Sequence, residues 1–210
     1  PIVFCGINGE AAQIWQLEGN YTGLWESPSI AETVRLIQPL FPNTKNLFII
    51  NDYSASGRAW YKDAQEALRE FGGTFTIRHN GNVPYTELLK SLETLPPDTV
   101  ILCGGYSSDS DGIYFSQTDF QRLLSSHTNI PIFGLLGTSI GLGQVGGKYV
   151  DPYAQGMLAG KMARAVLEGK KASQIPLLRD SSDYNRWIFD AAVMQKLSLN
   201  EKLLPPDATF

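Results

Sequence analysis

Histidine and cysteine are scarce in this chain of 210 residues, two of each, and methionine numbers only three. Cys5 and Cys103 lie far apart and fit no metal-binding spacing. Neither His79 nor His127 has a Cys, Asp or His at ligand spacing, so no metal is expected. Basic runs are also missing, and 17 Lys and Arg against 21 Asp and Glu leave a formal charge of −4, which argues against a nucleic-acid partner. No apolar stretch approaches membrane-spanning length, so any membrane attachment is expected through segments outside this chain. The chain opens directly on a strand-like run, Ile2–Cys5, so its lack of a signal pattern is silent on export. Each cysteine closes a strand-like run just before a glycine. Two buried or half-buried thiols are the simpler reading, and a disulfide needs geometry that the sequence does not supply.

What is present is core material. Apolar residues make up 43% and charged residues 18%, enough to bury a sizeable interior. Strand-like runs at Ile2–Cys5, Asn46–Asn51, Thr74–Arg78, Thr99–Cys103, Pro131–Leu135 and Arg186–Phe189 alternate with helical patterns. Ser29 with Glu32 reads as a capping box before Ile30, Val34, Ile37 and Leu40. Trp60, Ala64, Ala67, Leu68 and Phe71 form one stripe that stops at Gly72–Gly73. Further helices are expected from Pro84, over "TDFQRLLSSHT", and from Asp151–Pro152 as cap and first-turn proline. Strands alternating with helices in this way predict an α/β fold with a doubly wound parallel sheet covered on both faces. Such sheets bind ligands beyond the carboxyl ends of their strands.

The motifs of catalysis do not hold up. "GLGQVG" places Gly141, Gly143 and Gly146 at dinucleotide-fingerprint spacing, but no helix opens on it, so no nucleotide cofactor is expected. "QVGGKY" fails as a phosphate loop because Tyr149 stands where a hydroxyl residue of the Ser or Thr type is required. "SSDSDGIYF" places Asp109, Asp111 and Gly112 like a calcium loop, yet Ser107 and Thr118 occupy the positions that need acids, and a plain turn accounts for it better. No nucleophile elbow is present. No catalytic residue is assigned, and a binding role is expected.

The strand-end loops are more informative. Asn51, Asp52, Tyr53, Ser54, Ala55, Ser56 and Gly57 follow one run; Gly104, Gly105, Tyr106, Ser107 and Ser108 follow another; Gly137, Thr138 and Ser139 follow a third, and Gly6, Ile7 and Asn8 follow the first. Small hydroxyls, a carboxylate, two tyrosines and glycines gathered at one sheet edge suit a small polar ligand. Ordinary turn chemistry accounts for the same residues equally well.

The order of "PIVFCGIN", "NYTGLWE", "LFPNTKNLFIINDYSASGRAWYKDAQEAL", "LPPDTVILCGG", "SDGIYFS", "IPIFGLLGTSIGLGQVGGKYVDPYAQGMLAGKMARAVLEGK" and "IPLLRDSSDYNRWIFDAAVMQKLSL" resembles the periplasmic-binding-protein-like, ABC-type solute-binding family. It is most similar to the sensor variant found in bacterial histidine kinases and diguanylate cyclases. The resemblance spans essentially the whole chain and rests on order and spacing. It implies two α/β lobes that close on a ligand by a hinge, with residues 1–25 and 145–172 in a partial first lobe, 26–144 and 183–204 in the second, and 205–210 as a tail. Tyr21–Glu26 is implied as a crossover between them. The family carries roughly a hundred further residues before this point, on the order of one small lobe. The first lobe is therefore expected here as a fragment, with Ile2–Cys5 as its last strand. The resemblance implies ligand contacts at Asn8, Glu26, Asp52, Tyr53, Ser54, Tyr106, Ser107 and Thr138, with Asp52 pairing with a ligand amino group. It further implies an extracytoplasmic location, a small-molecule ligand of unspecified identity, and a homodimer as a further expectation. An importer's solute-binding component is the alternative of like fold, and an α/β enzyme using the same loops a more distant one.

Overall fold

The computed structural model describes residues 1–8 and 20–210. Residues 9–19 of the expected first lobe lie outside the described residues. The chain divides into two compact units, Pro1–Ser29 with Val150–Asn185, and Ile30–Tyr149 with Arg186–Phe210.

The first unit holds a parallel pair, β1 (Ile2–Asn8) and β2 (Tyr21–Glu26). The segment implied as a crossover is thus a strand. The second unit is built on a six-stranded sheet. Its strands are β3 (Asn46–Ile50), β4 (Thr76–His79), β5 (Thr99–Cys103), β6 (Ile132–Gly134), β7 (Gly146–Tyr149) and β8 (Arg186–Phe189), in the order β4-β3-β5-β6-β7-β8. All neighbours run parallel except β7 and β8. The apolar strands serve both faces because successive side chains point to opposite sides. Leu47 and Ile49 of β3, with Val100 and Leu102 of β5, enter one core beside α1 (Ile30–Leu40) and α2 (Ala55–Ala67). Phe48, Ile50, Ile101 and Cys103 enter the other, beside α3 (Tyr85–Leu92) and α4 (Gln117–His127). This is the doubly covered sheet that the continuous apolar runs predict.

Local chemistry sets the helix ends. Ser54 caps α2 by accepting the Gly57 N–H, and Trp60, Ala64, Leu68 and Phe71 bury the expected stripe. The Ser29 hydroxyl accepts from Asn185 Nδ2 at 2.9 Å, and Glu32 pairs with Lys148 at 3.2 Å.

In the first unit, α5 (Pro152–Leu167) lies against the β1–β2 pair. Asp151 caps α5 through the Tyr153 and Ala154 N–H groups, Pro152 fills the first turn, and Gln155 Oε1 accepts the Gly6 N–H at 2.9 Å. In the second unit, the chain beyond α6 (Ala191–Lys196) returns to the sheet. Thr209 donates to the Trp187 carbonyl and accepts from the Phe189 N–H through its own carbonyl, which extends the β8 side. Both thiols are free; Cys103 is buried as expected, but Cys5 is exposed.

Candidate functional site

The loop after β3 and the loop after β5 meet at the carboxyl edge of the second unit's sheet, where Asp52 N–H donates to the Gly105 carbonyl at 3.0 Å. The Asp52 side chain completes the junction. Its Oδ1 accepts the Ser54 N–H at 3.0 Å and the Ser54 hydroxyl at 2.5 Å. Its Oδ2 accepts the Ser107 N–H at 2.7 Å and the Ser107 hydroxyl at 2.5 Å. Asp52 is only 4% exposed, so its charge is held by these four donors rather than by water. A carboxylate has about four acceptor positions, and here all are filled within the protein. Asp52, which the resemblance implies as a ligand contact, bridges the two loops.

A second cluster flanks the bracket. Asn51 Nδ2 donates to the carbonyls of Asp52 and Gly57, at 2.7 and 3.0 Å, which turns its Oδ1 toward His79 Nε2, 2.8 Å away. That arrangement makes Nε2 the protonated nitrogen and Nδ1 the acceptor, which faces both the Gly81 N–H at 3.3 Å and the Tyr53 hydroxyl at 3.2 Å. Tyr61 stacks on the imidazole with centroids 4.0 Å apart. Burial lowers the His79 pKa to about 4, so the ring is neutral at pH 7. Burial also raises the Tyr53 pKa, with a smaller contribution from Tyr61. His79 and Asn51 are not among the contacts that the resemblance implies. Their sequence signal is thin: "RHNGN" closes a strand, and the β3–β4 register sets His79 opposite Ile49, two residues before Asn51.

The other expected residues are spread more widely. Thr138 is exposed in the short turn Gly137–Ser139 after β6. Gln117, absent from the expected set, ties that turn to the β5 loop. Its Oε1 accepts the Tyr106 N–H at 3.3 Å, and its Nε2 reaches the Gly104 carbonyl and Ser139 Oγ, each at 3.4 Å. Tyr106 is a core ring, 2% exposed and stacked on Phe120 at 3.9 Å. Burial raises its pKa, with Asp109 and Asp52 adding to the effect. In the first unit, Asn8 and Glu26 are paired in register at the ends of β1 and β2. Glu26 is half-buried, and desolvation raises its pKa.

The segment resembling a calcium loop is a turn. Asp109 Oδ1 accepts the Asp111 and Ile113 N–H groups, and Oδ2 accepts that of Tyr85. Gly141 and Gly143 sit in a turn that leads into β7 rather than a helix. Among the described residues, no group of three or more His, Cys, Asp or Glu is placed to hold a metal ion.

No family model matches the chain, and no curated relative matches it in sequence. Solved structures do match. The ligand-free, open structure of CD0873, a substrate-binding protein with adhesive properties from Clostridium difficile, is similar with a TM-score of 0.71 at 17% identity, over 100% of this chain and 70% of that one. The ABC domain from Streptococcus pneumonia in complex with L-Trp is similar with a TM-score of 0.72 at 17% identity, over 99% of this chain and 72% of that one. A conserved domain protein from Vibrio cholerae is similar with a TM-score of 0.64 at 16% identity, over 92% and 64%. The fold is that of periplasmic-binding-protein-like substrate-binding proteins.

Proposed function

We propose that the chain is a non-enzymatic, extracytoplasmic ligand-binding domain that takes a small polar molecule at the strand-end loops of its second unit. The observation that carries this reading is the junction at Asp52, where hydroxyl-bearing loops from β3 and β5 are locked side by side at the carboxyl edge of a parallel sheet. Ligands of open α/β sheets bind at that edge. The likeness in fold to substrate-binding proteins supports the same reading.

The finer proposal is a sensor region of a bacterial signal-transduction protein, in which a ligand shifts a conformational population through its differential affinity. The second reading, the solute-binding component of an importer, is favoured by the names of the similar structures, which are a substrate-binding protein and an ABC domain. An output module encoded in the same gene supports the sensor; adjoining transporter genes support the importer.

A thermal-shift screen of the chain against a broad metabolite set, followed by calorimetric titration of the hits, tests the binding reading. A ligand that stabilises the wild type and loses affinity with Tyr53→Ala is the expected result. Absence of any binder across the set overturns the reading.

A further inference from the structure

In the first unit, α5 is apolar on two sides, and only one of them is covered. Apart from Tyr153, Gln155, Lys161 and Arg164, every residue of Pro152–Leu167 is apolar or glycine. The buried Gln155 and the half-buried Leu158, Met162 and Val166 share the side on which Gln155 meets Gly6 of β1. The opposite side carries Tyr153, Met157 and Leu167, which are 70%, 48% and 88% exposed. Gly156 and Gly160 lie among them, and a Cβ on either would meet nothing within 4 Å beyond the helix's own backbone. The water-facing side of a helix is ordinarily polar, and a run of exposed apolar side chains marks an interaction surface.

Charge selects the kind of partner. In a chain with a formal charge of −4, residues 161–171 hold four basic side chains and one acidic. Arg164 is paired with Glu168 at 2.8 Å. Lys161, Lys170 and Lys171 are exposed and take part in no ion pair among the described residues. The helix dipole accounts for cations at the carboxyl end, but not for Lys161 in mid-helix or for the exposed Tyr153, Met157 and Leu167. A second copy of this face would set like charge against like charge. An anionic surface would neutralise it. Tyrosine and lysine each join an apolar body to a polar tip, a form suited to the layer between lipid headgroups and acyl chains. Helices that lie in that layer combine lysines with apolar side chains in this way.

We propose that the exposed side of α5 is a peripheral contact for an anionic lipid surface, with Lys161, Lys170 and Lys171 at the phosphates and Met157 and Leu167 at the acyl boundary. The helix rests on such a surface and does not span it: among the described residues no helix is long and apolar enough to cross a membrane. The contact is separate from the strand-end loops and does not rest on the ligand-binding reading.

The test is co-sedimentation of the chain with vesicles of phosphatidylcholine alone and of phosphatidylcholine mixed with phosphatidylglycerol, at low and at high salt. Partitioning onto the phosphatidylglycerol vesicles only, weakened by salt, is expected. Lys170→Glu with Lys171→Glu should lower it about tenfold or more, and Leu167→Ser about fivefold. The same charge change at the exposed Lys90 and Lys202 of the second unit should alter it about twofold at most. No partitioning, an equal loss in that control pair, or partitioning that survives both α5 variants overturns the inference. Capture of the chain by immobilised poly-L-glutamate without vesicle binding would assign the face to an acidic protein. A concentration-dependent dimer abolished by Met157→Glu would assign it to a second copy. Either result overturns the lipid contact.

Discussion

Asp52 and Ser107, 55 positions apart in sequence, are joined by two hydrogen bonds to one carboxylate oxygen, from the Ser107 N–H at 2.7 Å and its hydroxyl at 2.5 Å. With the Ser54 pair on the other oxygen, the side chain closes the β3 loop on itself and onto the β5 loop. Replacing Asp52 by Asn puts an amide nitrogen where an acceptor is needed and sets donors against donors. Asp52→Asn should destabilise the chain by about 2–4 kcal/mol. The exposed Asp111→Asn is the control, expected within about 0.5 kcal/mol of wild type. Urea unfolding of the two variants checks this, and equal midpoints would refute the bracket role.

His79 should make stability depend on pH in a defined window. Its folded-state pKa is lowered by burial to about 4, below the ordinary value of 6.5. Between those values the unfolded chain binds the extra proton, so this contribution is full above pH 6.5 and is lost as pH falls toward 4. The loss should be roughly 1–2 kcal/mol, less than the full linkage value because the ring is only partly buried. Denaturation between pH 4 and 7 should show a shallower slope in His79→Gln than in wild type. Parallel slopes would contradict the assignment.

Legibility in the sequence follows the chemistry of each segment. β3 and β5 can be read directly because unbroken apolar runs feed both cores. β2 and β7 escape such reading, because glycines lower strand propensity at the points where the backbone needs them. A Cβ on Gly23 would lie 2.2 Å from the Phe4 carbonyl oxygen, and one on Gly147 would lie 2.3 Å from that of Gly134. At the site, the loops carrying Asp52, Ser54 and Ser107 are legible as strand ends. The direction of their hydrogen bonds is not, since it depends on which loop lies beside which. Tyr106 shows the same gap: the rings that cover it, Phe115 and Phe120, come from downstream segments that no local pattern ties to it.

Glu26 gives a prediction of opposite sign to Asp52. Desolvation raises its pKa, so the folded state disfavours its charged form. That penalty is present at neutral pH and vanishes once the carboxyl is protonated in both states. Glu26→Gln should therefore raise the melting temperature at pH 7, and the gain should shrink as pH falls below the ordinary carboxyl range. Melting curves at about pH 7 and about pH 4 test it; a destabilised variant at neutral pH would mean that the carboxylate has a stabilising partner.

Two helical glycines should respond oppositely to the same substitution. Gly57 lies in the first turn of α2, and a Cβ there would fall 2.1 Å from Asp52 Oδ1 and 2.2 Å from the Asp52 carbonyl oxygen. Gly57→Ala must displace the bracket and should cost about 2–4 kcal/mol. Gly156 lies within α5, and beyond that helix's own backbone nothing lies within 4 Å of an added Cβ. There the ordinary helix preference governs, and Gly156→Ala should stabilise by about 0.5–1 kcal/mol. Thermal melts of both variants check the pair. If Gly57→Ala is as stable as Gly156→Ala, the close approach of Asp52 to the first turn of α2 is wrong, and with it the geometry that turns the Ser54 hydroxyl inward.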